Sequence, residues 1–359
     1  MIIMKKDASK QEIDNVVAEI KKLGLRADIS HGEALTVIGL VGDERRVNFQ
    51  HLAVLPGVRE TRMIEAPYKL INREYSDAFQ DPGKSRVIRA GNIEIGGDSP
   101  VYIAGPCAIE SREQLFRIAE EVKKAGAHIL RGGIFKPRSS AHFWQGLGSQ
   151  GDSEAREALS WLQEAGRKFE MPTITEVRGE YKAALIAEYV DILQIGARNM
   201  YDQDLLSTIA RQGKPVLYKR HFGASVEEFL SFSEYIAVDG NKDIILCERG
   251  VLPIGKGKSF TRYTLDIAAV PVIKKESFLP VIVDPSHATG RRDLIYSMSC
   301  AGIAAGACGL AIEVHYNPAE AWVDAAQAIT SDELAEIIDT CNRIHAVTVE
   351  RRKINKTGV

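Results

Sequence analysis

From residue 100 onward the chain alternates between short apolar runs and amphipathic stretches, and few folds tolerate so regular a beat. The runs are PVYIAGPC (100–107), HILRGGIF (128–135), PTITEV (172–177), DILQIGA (191–197), PVLYKR (215–220), DIILCERG (243–250), PVIVDPSH (280–287) and GLAIEVH (309–315). Between them, stretches such as 112–124, 153–169, 226–236 and 291–305 carry apolar residues at helical spacing. Eight strands, each followed by a helix, over roughly 250 residues fit the size and rhythm of an α/β fold of the (β/α)8 TIM-barrel type. An open doubly wound sheet is the competing layout, and the count of eight favours the barrel.

The residues before this pattern read as separate pieces. Residues 1–68 follow the order strand, helix, strand, strand, helix, strand, with strands at 1–5, 25–31, 34–41 and 61–66 and helices at 10–23 and 45–55. That is the split βαβ, ferredoxin-like order. Residues 69–85, with Asp81-Pro82-Gly83, read as a linker. Residues 86–359 form the barrel domain, opened by a hairpin around Ala90-Gly91-Asn92.

Bulk properties exclude several function classes. With 45% hydrophobic and 26% charged residues the chain is ordinary globular material. Its formal net charge of -2 gives no reason to expect nucleic acid or an acidic membrane as partner. The first residues turn polar after Met4 and the apolar runs are too short to cross a bilayer, so a soluble, cytoplasmic protein is expected. The five cysteines, at 107, 247, 300, 308 and 341, show no paired spacing and read as thiols. There is no Walker A loop, no G-x-G-x-x-G after a strand and no G-x-S-x-G elbow.

In a barrel the active site forms at the C-terminal strand ends, and here those ends are crowded with charge. Arg131, Lys136, Arg138, Arg198, Lys219 and Arg249 all fall there. Converging like charges repel, so a substrate bearing several anionic groups is expected to neutralise them. A second constellation is Cys107, His287, Glu313 and Asp324, a thiol, an imidazole and two carboxylates. These are the ordinary ligands of a divalent ion such as Zn, Mn, Fe or Co, which can polarise a substrate oxygen. His315, two residues beyond Glu313, is a further ligand or an orienting neighbour.

The motifs GPCAIES (105–111), LRGGIFKPRSS (130–140), QGLG (145–148), QIGARN (194–199), KR (219–220), CERG (247–250), DPSHATGRRD (284–293) and EVH (313–315) resemble the type I 3-deoxy-D-arabino-heptulosonate 7-phosphate synthases. The resemblance covers residues 86–345 and is strongest to the shorter (beta) subfamily with a ferredoxin-like extension. It implies condensation of phosphoenolpyruvate with erythrose 4-phosphate, a transferase reaction that opens the shikimate pathway to aromatic amino acids. It places Cys107, His287, Glu313 and Asp324 at metal-ligand positions. Arg131, Lys136, Arg198, Lys219 and Arg249 match the residues that hold phosphoenolpyruvate, and Arg138 and Ser139 those that grip the aldose phosphate. Ser139 stands where the family usually has threonine, and 141–144 (AHFW) also depart from the pattern. Lys136 is then the candidate proton donor to the aldehyde oxygen, and Glu176 the candidate that positions or deprotonates water.

The sister reaction, with arabinose 5-phosphate giving an octulosonate phosphate, is the nearest alternative. Its enzymes read K-A-N-R-S-S where this chain reads Lys-Pro-Arg-Ser-Ser. A barrel-borne sensor of an amino acid is the rival from another class, and four intact metal ligands argue against it. The resemblance also implies feedback inhibition by an aromatic amino acid through residues 1–68, and a homotetramer.

Overall fold

The computed structural model describes residues 1–31, 35–42, 47–62, 66–81, 83–136, 142–254 and 259–357. The chain divides into two compact units, Met1–Pro67 and Tyr68–Val359.

The first unit runs β1 (Ile2–Met4), α1 (Lys10–Lys22), β2 (Arg26–His31), β3 (Thr36–Val41), α2 (Phe49–Ala53) and β4 (Val58–Thr61). Its sheet is antiparallel in the order β2-β3-β1-β4, the ferredoxin-like arrangement. Ser9 starts α1 through a reciprocal capping box with Glu12. Val16 and Ile20, one helical turn apart, then meet Ile2, Met4 and Ile38 of the sheet. Two boundaries differ from expectation. Helix α2 is shorter than 45–55 because the Asn48 side chain accepts the His51 N–H and caps it there. The last strand is at 58–61 rather than 61–66, because left-handed Gly57 (φ 79) turns the chain back early. Residues 45–46 and 63–65 of those two expectations lie outside the described residues.

The second unit opens with the antiparallel hairpin β5 (Ile88–Ala90) and β6 (Ile93–Ile95). Then follow β7 (Val101–Gly105), α3 (Arg112–Lys124), β8 (Ile129–Arg131), α4 (Asp152–Lys168), β9 (Thr173–Glu176) and α5 (Ala183–Ala187). After these come β10 (Ile192–Ile195), α6 (Gln203–Ala210), β11 (Val216–Lys219), α7 (Val226–Val238), β12 (Ile244–Glu248) and α8 (Ala269–Glu276). The last elements are β13 (Val281–Val283), α9 (Pro285–Thr289), α10 (Arg292–Ala304), β14 (Gly309–Glu313) and α11 (Ser331–Thr357). Strands β7 to β14 pair in parallel and close into a barrel, with Glu313 of β14 in register with Gly105 of β7.

Capping and periodicity explain the helices. Ser111, directly after the first polar strand end, caps α3, which buries Leu115, Ile118, Ala119 and Val122 on one face. Early strand residues Val101, Ile129, Ile192 and Ile245 cluster with Ile88 and Ile95 of the hairpin, so the hairpin plugs the N-terminal mouth. Each fully buried isoleucine there contributes about 1.5–3 kcal/mol. The opposite mouth is left to polar side chains.

Residues 69–85, expected as a linker, lie within the second unit. Arg73 is buried there and donates to the carbonyls of Lys274 (3.0 Å) and Ser277 (2.9 Å) as well as to Asp81 and Lys84. Phe79 stacks on Phe278 at 4.7 Å. The seventh apolar run also ends sooner than its sequence suggests. Asp284 caps and Pro285 starts the short helix α9, which ends at left-handed Gly290 before α10 begins. Among the described residues, no helix is long and apolar enough to cross a membrane.

Candidate active site and metal centre

Four side chains converge at the C-terminal mouth. Cys107 follows β7, His287 rides on α9, Glu313 ends β14, and Asp324 lies in the loop beyond it. Each offers one ligand atom, and these atoms lie within 4.8 Å of one another. The close approach depends on glycine. A Cβ on Gly105 (φ 148) would stand 2.1 Å from the Arg131 carbonyl, and one on Gly133 2.4 Å from the Cys107 carbonyl. Asp324 itself adopts a left-handed backbone (φ 53), a conformation that costs a non-glycine residue on the order of 1–3 kcal/mol and clusters at functional sites.

The donor set fits a divalent cation. His287 Nδ1 lies 2.7 Å from Asp284 Oδ2 and Nε2 2.8 Å from Glu313 Oε1; in the neutral tautomer that donates Nδ1–H to Asp284, the Nε2 lone pair faces Glu313. Glu313 Oε1 is buried and accepts no hydrogen bond among the described residues. Two lone pairs directed at each other repel unless a cation lies among them. Burial would raise the Glu313 carboxyl, but a protonated His287, then Arg131 and Lys136, outweigh it and hold it well below the ordinary carboxylate range in the absence of a metal. Burial, then Glu313, pushes the Cys107 thiol far up, so a thiolate there needs a directly bonded cation. Lys136 contacts both Cys107 Sγ and the Asp324 carboxylate. Burial works against its ammonium, yet Cys107, Glu313 and Asp324 raise it above the usual lysine range.

A cavity of about 570 Å³ opens over this group, and Arg131, Lys136, Glu176, Arg198, Lys219 and Arg249 all line it. Arg131 is buried, 3.6 Å from Glu313, and among the described residues its Nη1 has no hydrogen-bond partner. Lys219 donates to Asp284 Oδ2 at 2.7 Å, and Arg249 stacks over the Tyr263 ring at 4.5 Å. Glu176 Oε2 accepts from Gln194 at 3.0 Å. An external anion is therefore not the sole counter-charge to these cations, contrary to expectation. Glu313 and Asp284 already offset part of the positive field.

Arg138 and Ser139 lie outside the described residues. His315 is not a member of the four-residue group: its Nδ1 accepts the Asn317 N–H and its Nε2 lies 3.9 Å from Glu110. Arg220, next to Lys219, turns away into ion pairs with Glu248 (2.8 Å) and Asp266 (2.9 Å). Sequence reasoning passed over Asp284, Gln327 and Arg262. The first two had a signal, since Asp284 precedes His287 by three residues and Gln327 follows Asp324 by three, each one tight turn away. Arg262 sits in a long loop with no local signature.

The profile of the DAHP synthetase I family matches residues 76–348, and that of the DAHP synthase ferredoxin-like domain matches residues 1–66. A phospho-2-dehydro-3-deoxyheptonate aldolase of Thermotoga maritima is 41% identical over 344 residues, covering 96% of this chain and 97% of its own. The crystal structure of that Thermotoga aldolase superposes with a TM-score of 0.87 over 96% of this chain and 97% of its own. A truncated form of 3-deoxy-D-arabino-heptulosonate 7-phosphate synthase from the same organism has a TM-score of 0.68, 40% identity, and covers 78% of this chain and 97% of its own. A 2-dehydro-3-deoxyphosphooctonate aldolase of Histophilus somni is 31% identical, over 71% of this chain and 93% of its own.

Proposed function

The chain belongs to the DAHP synthetase I family, and from that premise we propose which of its residues carry the reaction. The enzyme condenses phosphoenolpyruvate with erythrose 4-phosphate and water, giving 3-deoxy-D-arabino-heptulosonate 7-phosphate and inorganic phosphate, the first step of the shikimate pathway. The observation that carries our assignment is the meeting of four metal-ligand atoms with a ring of fixed cations in one cavity.

Cys107, His287, Glu313 and Asp324 hold a divalent ion of the Mn, Fe, Co or Zn type. Bound there, it supplies Lewis acidity toward the aldehyde oxygen. Arg131, Lys136, Arg198, Lys219 and Arg249 bind the phosphate and carboxylate of phosphoenolpyruvate, and Arg138 with Ser139 grips the aldose phosphate. C3 of phosphoenolpyruvate forms the new bond to the aldehyde carbon. Lys136, an ammonium close to the metal ligands, delivers the proton that turns the aldehyde oxygen into a hydroxyl. Positive charge developing at C2 is countered by the carboxylate of phosphoenolpyruvate itself. Glu176 positions or deprotonates the water that adds to C2, and the hemiketal then expels phosphate. Orientation by two anchored phosphates provides much of the remaining acceleration.

The ferredoxin-like unit points to the beta subfamily and to feedback inhibition by an aromatic amino acid, in a cytoplasmic homotetramer. Phosphate release from phosphoenolpyruvate, measured with erythrose 4-phosphate and with arabinose 5-phosphate, tests the reaction. Release with the four-carbon aldose, abolished by chelator and restored by divalent metal, is expected. Release only with the five-carbon aldose would assign the octulosonate reaction instead. Deleting residues 1–67 and finding inhibition unchanged would remove the regulatory role.

A further inference from the structure

We propose that Gln327 is a positioning residue that sets the orientation of both metal-binding carboxylates and ties them to Arg262 in the substrate cavity. The inference rests on the four-ligand metal site proposed above. Gln327 is only 3% exposed. Its Nε2 donates to Glu313 Oε2 at 2.9 Å and, more weakly, to Asp324 Oδ2 at 3.4 Å. Its Oε1 accepts from Arg262 Nη1 at 3.4 Å. A primary amide has two donors and an ionised carboxylate has none, so one glutamine can bridge two carboxylates that would otherwise repel. With Oε2 held by Gln327, the other oxygen of Glu313 is the one left facing His287 Nε2 at 2.8 Å.

The backbone supports the same role. Gln327 and Asp324 share one tight turn, in which the Gln327 N–H donates to the Asp324 carbonyl at 3.0 Å. Arg262, on the other side, is tied by its own N–H to the Thr289 carbonyl of α9 at 2.9 Å, and α9 is the helix that carries His287. The Gln327 side chain therefore joins the segments bearing three of the four ligands. Glutamate at this position would fill the same volume with no donor and a third negative charge. Methionine would fill it with neither donor nor acceptor.

Cobalt(II) titration of the full chain, read by the thiolate charge-transfer and ligand-field absorption bands with a competing chelator, tests this directly. Outer hydrogen bonds to metal ligands are worth about 10- to 100-fold in affinity. Q327M should therefore weaken cobalt binding by roughly that factor and shift the ligand-field bands while keeping the thiolate band, and Q327E should weaken it further. R262M should weaken binding by a smaller factor, and adding it to Q327M should bring no further loss, because Arg262 acts through the glutamine. Wild-type affinity and wild-type bands in folded Q327M would overturn the proposal, and Q327E gives the same reading if Q327M fails to fold. Absence of a cobalt–thiolate band in the wild-type protein is a different outcome, since it removes the metal site and the proposal with it.

Discussion

Replacing Asp284 with asparagine should damage stability and metal binding together, by separable amounts. Asp284 is fully buried; its Oδ2 accepts from Lys219 Nζ and from His287 Nδ1, both at 2.7 Å, and its Oδ1 accepts the His287 N–H at 2.9 Å. Asparagine keeps the shape but removes the charge, stranding the ammonium of Lys219, itself 4% exposed. Breaking one side of a buried pair costs about 3–5 kcal/mol. At about 2 °C per kcal/mol for a large domain, the metal-free protein should melt roughly 6–10 °C lower. His287 uses both oxygens of Asp284, and asparagine offers only one neutral acceptor, so its ring is fixed less firmly, which should weaken metal affinity by about 10- to 100-fold. The measurements are thermal unfolding with chelator present, so that bound metal adds no stability, and competitive cobalt titration. Adding K219M removes the stranded charge, so the double variant should recover part of the melting loss but none of the metal affinity. Burial raises the Asp284 carboxyl, but His287 and Lys219 outweigh it and depress it well below its ordinary value. Its contribution is thus complete above the unfolded value of about 3.9 and lost only as pH falls below it. A melting change under about 2 °C in metal-free D284N, or a double variant no better than D284N, would refute the reasoning.

Cys107→Ser exchanges a polarisable sulfur for a poor ligand, so the cobalt–thiolate band and metal-dependent phosphate release should vanish while the fold survives. Retained activity would exclude the thiol as a ligand. Arg131→Lys keeps the charge but loses the planar fork of a side chain whose Nη1 finds no hydrogen-bond partner among the described residues; the KM for phosphoenolpyruvate should rise about tenfold or more, and an unchanged KM would sever Arg131 from that substrate. His128 is held neutral, its pKa lowered by burial and then by Lys123, while its Nδ1 accepts the Tyr102 N–H at 3.1 Å. A depressed histidine contributes stability that is present above the unfolded value of about 6.5 and lost as pH falls from there. Acidification from pH 7 toward 5 should therefore lower the melting temperature less in His128→Gln than in the wild type, and equal slopes would contradict this.

What could be read from the chain is what depends on neighbours in sequence. Apolar runs separated by helical periodicity set the order and number of the barrel strands, because side-chain direction repeats within a few residues whatever the tertiary context. The ends of these elements are local too, where a cap such as Ser111 or Ser9 can be seen. The late start of α2 at Asn48 and the early end of β13 before Asp284 were available in the same language, but the apolar pattern running past them hid the caps. Placing Cys107, His287 and Glu313 at one mouth needed only the rule that strands of a barrel share a direction.

Partner choice is different in kind. Lys219 and Arg220 are adjacent, yet one reaches Asp284, 65 residues away, and the other reaches Glu248 and Asp266. Nothing local distinguishes them, since an ion pair forms between whichever charges the closed barrel brings within reach. The same holds for Gln327 bridging Glu313 to Arg262, and for Glu313 Oε1 facing His287 with no hydrogen bond among the described residues. Sequence by itself determined which elements form, in what order, and which residues stand at the strand ends, because those follow from short-range periodicity and capping. Only the tertiary structure decided which of those charges neutralise one another and which remain for metal and substrate, because electrostatic pairing is settled by distances through space.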